Sequence, residues 1–244
     1  MPLKRRSSQK DPKVVPIGLG PPKLAFGGGL GLLAADDGRL LSWAGSDVPE
    51  EELEIRNQGR RVHGVCVGFG LEGALLLAWT MSGRLYAWGD NRSGAREGVG
   101  MGDWEHSDVP QLVPMGDHRV VGASCGAGHV ALAVGNGVLL AAGGNGAGQL
   151  GLGGQEDRGD LAPVPFPAPT HVVSVACGNQ FTLAVGASGE LYSFGRNDRG
   201  QLGHGDREPR ESPALVAPLA RKGQRALSAA AGDGFAACVT EGGG

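Results

Sequence analysis

Short apolar runs recur along the chain, and each run lies between two glycines. One example is Ala131-Leu132-Ala133-Val134, which follows Gly126 and precedes Asn136-Gly137. Successive apolar positions are typical of a strand that is buried on both faces. Asp-Gly and Asn-Gly pairs favour the tight turns of two-residue hairpins. The pattern therefore predicts β-hairpins, each beginning with an inner strand.

The hairpin pattern occurs five times at nearly constant spacing. The turn glycines at positions 38, 83, 137, 189 and 243 are separated by 45, 54, 52 and 54 residues. Each of these glycines has a partner before its apolar run, at positions 27, 68, 126, 178 and 232. A period near fifty residues indicates a radial or stacked array of similar units.

Each unit contains about four short segments. In the third unit we assign them to Val120–Cys125, His129–Val134, Val138–Ala142 and a weaker outer segment that ends near Pro163-Val164. Four such segments make one antiparallel sheet, and sheets of this kind bury both faces by packing around a central axis. The sequence thus predicts an all-β propeller of four-stranded antiparallel blades.

Composition and charge restrict the possible secondary structure and cellular location of the protein. Glycine makes up 46 of the 244 residues, with 15 prolines, so long helices are excluded. Residues 1–22 contain several prolines and the cations Lys4, Arg5 and Arg6, and we expect them to form a basic, disordered arm.

The sequence also bears on cellular location. No apolar stretch is long enough to span a membrane, and the basic residues at the start are not followed by the apolar core of a secretory signal. The four cysteines do not form a disulfide framework. We therefore expect an intracellular protein, nuclear or cytoplasmic, with no membrane partner.

The fourth unit carries a specific resemblance. Val175 to Val185, followed by Gly189 to Asp206 with the element Gly200-Gln201-Leu202-Gly203, resembles a repeat of the regulator of chromosome condensation family. The resemblance implies a seven-bladed propeller, of which about four to five blades are present. We divide residues 23–244 into repeats at about 23–60, 61–114, 118–165, 171–216 and an incomplete 225–244.

The last repeat stops at a hairpin turn. An open stack of sheets exposes apolar faces and unpaired edges. We therefore expect either a truncated product or a chain that a second copy or another chain completes, and the sequence leaves these alternatives open.

Candidate binding residues follow from the resemblance. In the family, the loop between the first glycine of a blade and the next strand helps to engage the small GTPase Ran. The corresponding residues here are Asn179, Gln180 and Asp233, with His129 at the start of a strand. Asp233 resembles the acid that is active in nucleotide exchange.

No catalytic, cofactor or metal site is predicted. The segments Gly68–Gly73 and Gly146–Gly151 fit a dinucleotide pattern, but the residues that follow Gly151 cannot start the helix that such a site needs. His63 and Cys66 have the spacing of half a zinc site, and no second pair follows. The Gly-Trp-Arg-His-Thr motif of the related ultraviolet-B photoreceptor is absent.

Three functions are consistent with the sequence. The first is a protein-interaction scaffold with guanine-nucleotide exchange activity toward a Ran-like GTPase. The second is a non-enzymatic interaction module, associated with ubiquitin ligases or with chromatin, where Lys4-Arg5-Arg6 would contact phosphates. The third is a truncated fragment without function. Fold alone does not choose among them.

Overall fold

The computed structural model describes residues 24–27, 30–34, 40–44, 51–53, 61–69, 73–91, 101 and 105–241. The basic arm, with Lys4, Arg5 and Arg6, lies outside the described residues.

The described chain forms four sheets of four strands and a fifth sheet of two strands. All strand pairs are antiparallel, and each sheet is a simple meander in chain order. The strands are β1 (Leu24–Gly27), β2 (Leu30–Ala34), β3 (Leu40–Ala44), β4 (Glu51–Leu53), β5 (Val62–Phe69), β6 (Ala74–Thr80), β7 (Leu85–Asp90), β8 (His106–Val113), β9 (Val120–Cys125), β10 (His129–Val134), β11 (Leu139–Gly143), β12 (Arg158–Pro163), β13 (Val172–Cys177), β14 (Phe181–Gly186), β15 (Leu191–Gly195), β16 (Arg210–Leu215), β17 (Ala226–Ala231) and β18 (Ala236–Thr240). A single turn of helix, α1 (Ala217–Arg221), connects β16 to β17.

The four segments predicted for the third unit are confirmed by β9 to β12. Strand β10 is buried at every position, because it has a strand on each side and a neighbouring sheet against each face. Strand β12 at the outer edge alternates between exposed and more buried residues, as a half-covered strand does. The all-β fold class is therefore confirmed.

The innermost position belongs to the first strand of each sheet. Strand β5 contacts β1 and β9, and β13 contacts β9 and β17. The apolar runs interpreted from the sequence as inner strands are β2, β6, β10 and β14, which lie second in their sheets. They are the most apolar strands because they are covered on all sides, whereas the first strands leave part of their surface open.

The sheets are joined by hydrogen bonds between the first strand of one sheet and the hairpin turn of the preceding sheet. The amide of Val120 donates to the carbonyl of Gly83 at 2.9 Å, and Val172 donates to Gly137 at 2.9 Å. Gly83 and Gly137 have φ of 82° and 85°, a conformation that glycine adopts without steric cost.

The core lies between neighbouring sheets. Each buried cluster takes side chains from two sheets, and the largest includes Trp79 of β6 and Leu132 of β10, both 0% exposed. Because no sheet has a core of its own, each described sheet depends on its neighbours for stability.

Candidate protein-binding face

The meander topology sorts the connections onto two opposite ends of the sheets. One end, here called the loop face, carries the short loops 126–128, 178–180 and 232–234 and the long loops 144–157 and 196–209. The other end, here called the turn face, carries the hairpin turns and the connections between sheets. The loop face therefore carries Asn179, Gln180 and Asp233, three of the binding residues predicted from the sequence.

A buried asparagine holds each long loop in place. Asn197 is 1% exposed; its Oδ1 accepts a hydrogen bond from the amide of Leu202 at 3.0 Å, and its Nδ2 donates to the carbonyl of Glu208 at 2.9 Å. Asn145 Oδ1 likewise accepts from the amide of Leu150, and its Nδ2 donates to the carbonyl of Gly154. Gly154 is the repeat equivalent of Asp206, whose carbonyl accepts from Asn197 Nδ2 at 3.2 Å. Leu150 and Leu202 are themselves buried in the core. The repeated asparagine and Gly-Gln-Leu-Gly elements thus make these loops fixed platforms.

Three side chains link two sheets on the loop face. Asn179 Nδ2 donates to Asp233 Oδ1 at 2.6 Å, although the two residues belong to successive repeats. Arg199 Nη1 lies 3.6 Å from Asp233 Oδ2. The Arg199 and Asp233 side chains are 60% and 71% exposed, so this ion pair adds little to stability and its charges stay accessible.

Gln180 occupies a backbone position that favours glycine. Its φ is 61°, and the preceding loop has Gly128 with φ of 116° in the same place. The carbonyls of Gly128 and Gln180 accept equivalent bonds, from Gly144 at 2.7 Å and from Arg196 at 2.8 Å. A left-handed conformation at a residue other than glycine costs on the order of 1 kcal/mol and persists only where the surroundings enforce it. The left-handed conformation of Gln180 places its amide side chain on the loop face.

His129 lies inside the molecule. It is 1% exposed, and its Nε2 lies 2.9 Å from Thr182 Oγ1 in the next sheet. Because the Thr182 hydroxyl donates to the carbonyl of Gln149, it accepts from Nε2. Burial lowers the pKa of His129 to about 4, so the ring is neutral at pH 7. The structure therefore separates His129 from the exposed Asn179 and Asp233 cluster and leaves it no surface for a partner to contact.

The sequence interpretation missed the charged residues that flank Asn197. Arg196 Nη2 donates to Asp198 Oδ2 at 2.7 Å, and this bond holds the pKa of Asp198 below its usual range and raises that of Arg196. Both side chains, with Arg199, lie beside the cluster of Asn179 and Asp233. The repeated asparagine could have identified these residues, because Arg196 and Asp198 flank Asn197 where two glycines flank Asn145.

Within the described loops of the loop face, acidic residues outnumber basic ones, and Arg158 and Arg210 lie just beyond these loops at the starts of β12 and β16. The loops 144–157, 196–209 and 232–234 contain the cations Arg196, Arg199 and Arg207. The same loops contain the acids Glu156, Asp157, Asp198, Asp206, Glu208 and Asp233. An accessible surface of fixed polar groups with excess negative charge is suited to recognition of a basic protein surface.

The described ranges contain neither a metal-binding cluster nor a membrane-spanning helix. They hold no cluster of three His, Cys, Asp or Glu side chains placed to bind a metal. They also hold no helix with the length and apolar character needed to cross a bilayer.

Comparisons with known proteins identify the same repeats. The family model described as "Regulator of chromosome condensation (RCC1) repeat" matches residues 82–133, 136–185 and 188–239, together more than half of the chain. Each matched repeat begins at a hairpin turn and ends in the second strand of the next sheet. A sequence repeat thus supplies the last two strands of one sheet and the first two of its neighbour.

One similar relative is the Protein RCC2 homolog of Danio rerio. It is 35% identical over 172 residues, which cover 65% of this chain and 34% of the relative. The chain therefore spans about a third of the length of the RCC2 proteins it matches.

Two solved structures share the fold. The structure of human WBSCR16 has a TM-score of 0.73 at 22% identity and covers 97% of this chain and 60% of that one. Prp20p from Saccharomyces cerevisiae has a TM-score of 0.55 at 18% identity and covers 89% and 69%. With the four-stranded sheets described above, these likenesses confirm the predicted propeller architecture.

Proposed function

Since the chain belongs to the regulator of chromosome condensation repeat family, we propose that it is an interaction scaffold whose loop face binds a small GTPase of the Ran type. The observation that carries this proposal is the cluster of Asn179, Arg199 and Asp233. The cluster joins two sheets, remains exposed, and lies on a platform fixed by buried asparagines.

The acidic charge of the loop face favours a partner that has a basic surface. An acidic face attracts such a partner over distances of about a Debye length and raises its association rate more than its final affinity. The ion pairs of Arg196 with Asp198 and of Arg210 with Asp206 fix the carboxylates in position. Their pKa values lie below the usual range, because each accepts a hydrogen bond from an arginine, so they stay charged at neutral pH.

A structural neighbour supports the class of partner. Prp20p from Saccharomyces cerevisiae binds Gsp1p and histones. That binding belongs to Prp20p, which is 18% identical to this chain. The family resemblance assigns the exchange-active acid to the loop position that Asp233 occupies, which makes Asp233 the residue to test.

Exchange activity requires that the factor bind the nucleotide-free and GDP-bound forms of the GTPase with different affinities. A factor that binds the nucleotide-free GTPase more tightly than the GDP-bound form lowers the affinity for GDP by the same ratio. Neither a nucleophile nor a proton donor is needed for this function. Asp233 would then act by a contact that forms when the nucleotide leaves.

The test uses the full chain and purified Ran in its GDP-bound and nucleotide-free forms. Surface plasmon resonance measures binding, and release of a fluorescent GDP analogue measures exchange. We expect Asp233→Asn, which removes the charge and keeps the shape, to weaken binding about tenfold. The matched control is Asp117→Asn on the turn face, which we expect to change binding by less than about twofold.

The outcomes separate the proposals. Tighter binding of nucleotide-free Ran with faster GDP release supports exchange activity. Equal binding of both forms supports the scaffold and rejects exchange. Absence of binding, or equal losses in the Asp233 and Asp117 variants, rejects the loop face as a Ran site.

A further inference from the structure

The turn face has the opposite charge to the loop face. Its described turns and connections, with Arg61 before β5, carry the cations Arg61, Arg84, Arg119, Arg221, Lys222 and Arg225. The acids on the same face are Asp117, Glu190 and Glu241. This cationic face takes no part in the function proposed above.

Four of its basic residues occupy one repeated position, directly before the first strand of a sheet. The carbonyls of Arg61, Arg119, His171 and Arg225 each accept a hydrogen bond from the hairpin turn of their own sheet, at 3.2, 2.8, 2.8 and 2.9 Å. Because β5, β9, β13 and β17 contact one another in sequence, these residues follow one another around the inner rim. We call them the cationic arc.

Neighbouring turns orient the side chains of the arc. Arg119 donates from Nε to the carbonyl of Ser82 at 3.2 Å, and Arg225 donates from Nε to the carbonyl of Ser188 at 2.8 Å. Gly83 and Gly189, next to these serines, leave no room for a side chain, because a Cβ there would lie 2.5 Å from the Cβ of the arginine. The arginines are therefore held over the turns. Arg119 Nη2 also donates to the carbonyl of Met81 at 3.4 Å, and the Arg225 side chain remains 53% exposed.

A bulge residue follows each residue of the cationic arc two positions later. The pairing of the first strand shifts by one residue at His63, Val121, Val173 and Leu227, in the same place in every sheet from the second to the fifth. Val121, Val173 and Leu227 are 41%, 43% and 37% exposed. A β-bulge turns a side chain away from the regular ladder, and bulges concentrate at functional edges. The repeat thus places an exposed apolar side chain two positions after Arg119, His171 and Arg225.

We propose that the cationic arc and its bulge residues bind an extended acidic peptide segment that also carries aliphatic side chains. The cations attract the carboxylates, and Val121, Val173 and Leu227 give the aliphatic groups an apolar surface. Neighbouring sheets pack roughly 10 Å apart, and an extended chain spans about 3.3 to 3.6 Å per residue. The segment that fits best has an acidic residue at about every third position.

A peptide fits these observations better than a nucleic acid does. Nucleic-acid surfaces gain affinity from arginine and lysine contacts to phosphates, and aliphatic side chains add little to such contacts. The arc also has Glu241 beside it, with Oε2 3.7 Å from Arg225 Nη1. A peptide can place an uncharged residue opposite this carboxylate, whereas a phosphate backbone carries a negative charge on every unit.

The test measures fluorescence anisotropy of a labelled (Glu-Leu-Ser)4 peptide with the full chain, one repeat for each residue of the arc. Two comparison peptides are (Gln-Leu-Ser)4, which lacks the charge, and (Glu-Ser-Ser)4, which lacks the aliphatic groups. Oligothymidylate of similar charge is the nucleic-acid probe. We expect the first peptide to bind at least about tenfold more tightly than each of the other three probes.

Two variants test the residues. We expect Arg61→Glu to weaken peptide binding about tenfold and the pair Val121→Ser and Val173→Ser to weaken it about fivefold. The matched controls, which change exposed residues of the same types elsewhere, are Arg207→Glu on the loop face and Val109→Ser on the outer strand β8. Both should stay within about twofold of the wild type. Circular dichroism verifies that each variant is folded.

Three results would overturn the proposal. They are equal binding of the glutamine peptide, tighter binding of oligothymidylate, and losses in the control variants as large as those at the arc. Asp233→Asn should leave peptide binding unchanged, so failure of the arc and failure of the loop face are distinguishable.

Discussion

Replacing His129 with phenylalanine tests whether the histidine ring is buried in its neutral form. The repeat equivalent of His129 is Phe181, which is 0% exposed and packs against Gly178 as His129 packs against Gly126. The position therefore accommodates a six-membered ring. The variant loses the hydrogen bond to Thr182, which is worth about 1 kcal/mol, and also removes a buried Nδ1 that has no hydrogen-bond partner. We expect its free energy of unfolding at pH 7 to lie within about 1 kcal/mol of the wild type.

The difference grows at acidic pH. Burial lowers the pKa of His129 to about 4 in the folded protein, whereas the ordinary value is 6.5. As the pH falls below 6.5, the unfolded chain binds a proton that the folded chain does not, so the wild type loses stability until the pH reaches about 4. The two pKa values correspond to about 3 kcal/mol in total and about 2.5 kcal/mol at pH 4.5. Phenylalanine does not titrate, so the variant escapes this loss.

Urea unfolding followed by circular dichroism at pH 7, 6, 5 and 4.5 measures the effect. Other groups that titrate in this range are present in both proteins and cancel in the difference. We expect the variant to become more stable than the wild type as the pH falls. Parallel pH profiles for the two proteins would refute the reasoning, because they would mean that His129 titrates alike in the folded and unfolded chains.

Two further predictions follow from burial. Phe181→Ala should lower the free energy of unfolding by about 3 to 5 kcal/mol, whereas Phe235→Ala at the equivalent position, 68% exposed, should lower it by less than about 1 kcal/mol; equal losses in urea unfolding would contradict this difference. Native protein should react with a thiol reagent first at Cys238, since burial raises the pKa of Cys177 to about 12 and also raises that of Cys125. Simultaneous reaction of all four cysteines would show that the sheets open readily.

The local features of the fold were predictable from the sequence. Turn glycines such as Gly137 and Gly189 adopt the expected positive φ, because a tight turn limits the choice of residue within a few positions. Strands β9 and β10 begin and end where the apolar pattern places them. Periodicity and turn chemistry are properties of neighbouring residues, so one sequence suffices to read them.

Other features depend on contacts between repeats. Phe181 and Phe235 occupy one repeat position, yet one is buried and the other is exposed, because the sheet that follows each residue decides its burial. The bond between Asn179 and Asp233 joins residues of different repeats. The bulges at Val121 and Val173 leave no mark in the apolar pattern, because valine suits buried and exposed strand positions equally.

The offset between sequence repeats and sheets has a consequence for how such proteins evolve. Each matched repeat carries the end of one sheet and the beginning of the next. When recombination duplicates or deletes one repeat, the new junction joins two half-sheets that were already built to pair. The product gains or loses a complete sheet, and no unpaired half-sheet remains inside the array. Gene rearrangement can thus change the number of sheets while every internal strand keeps both neighbours.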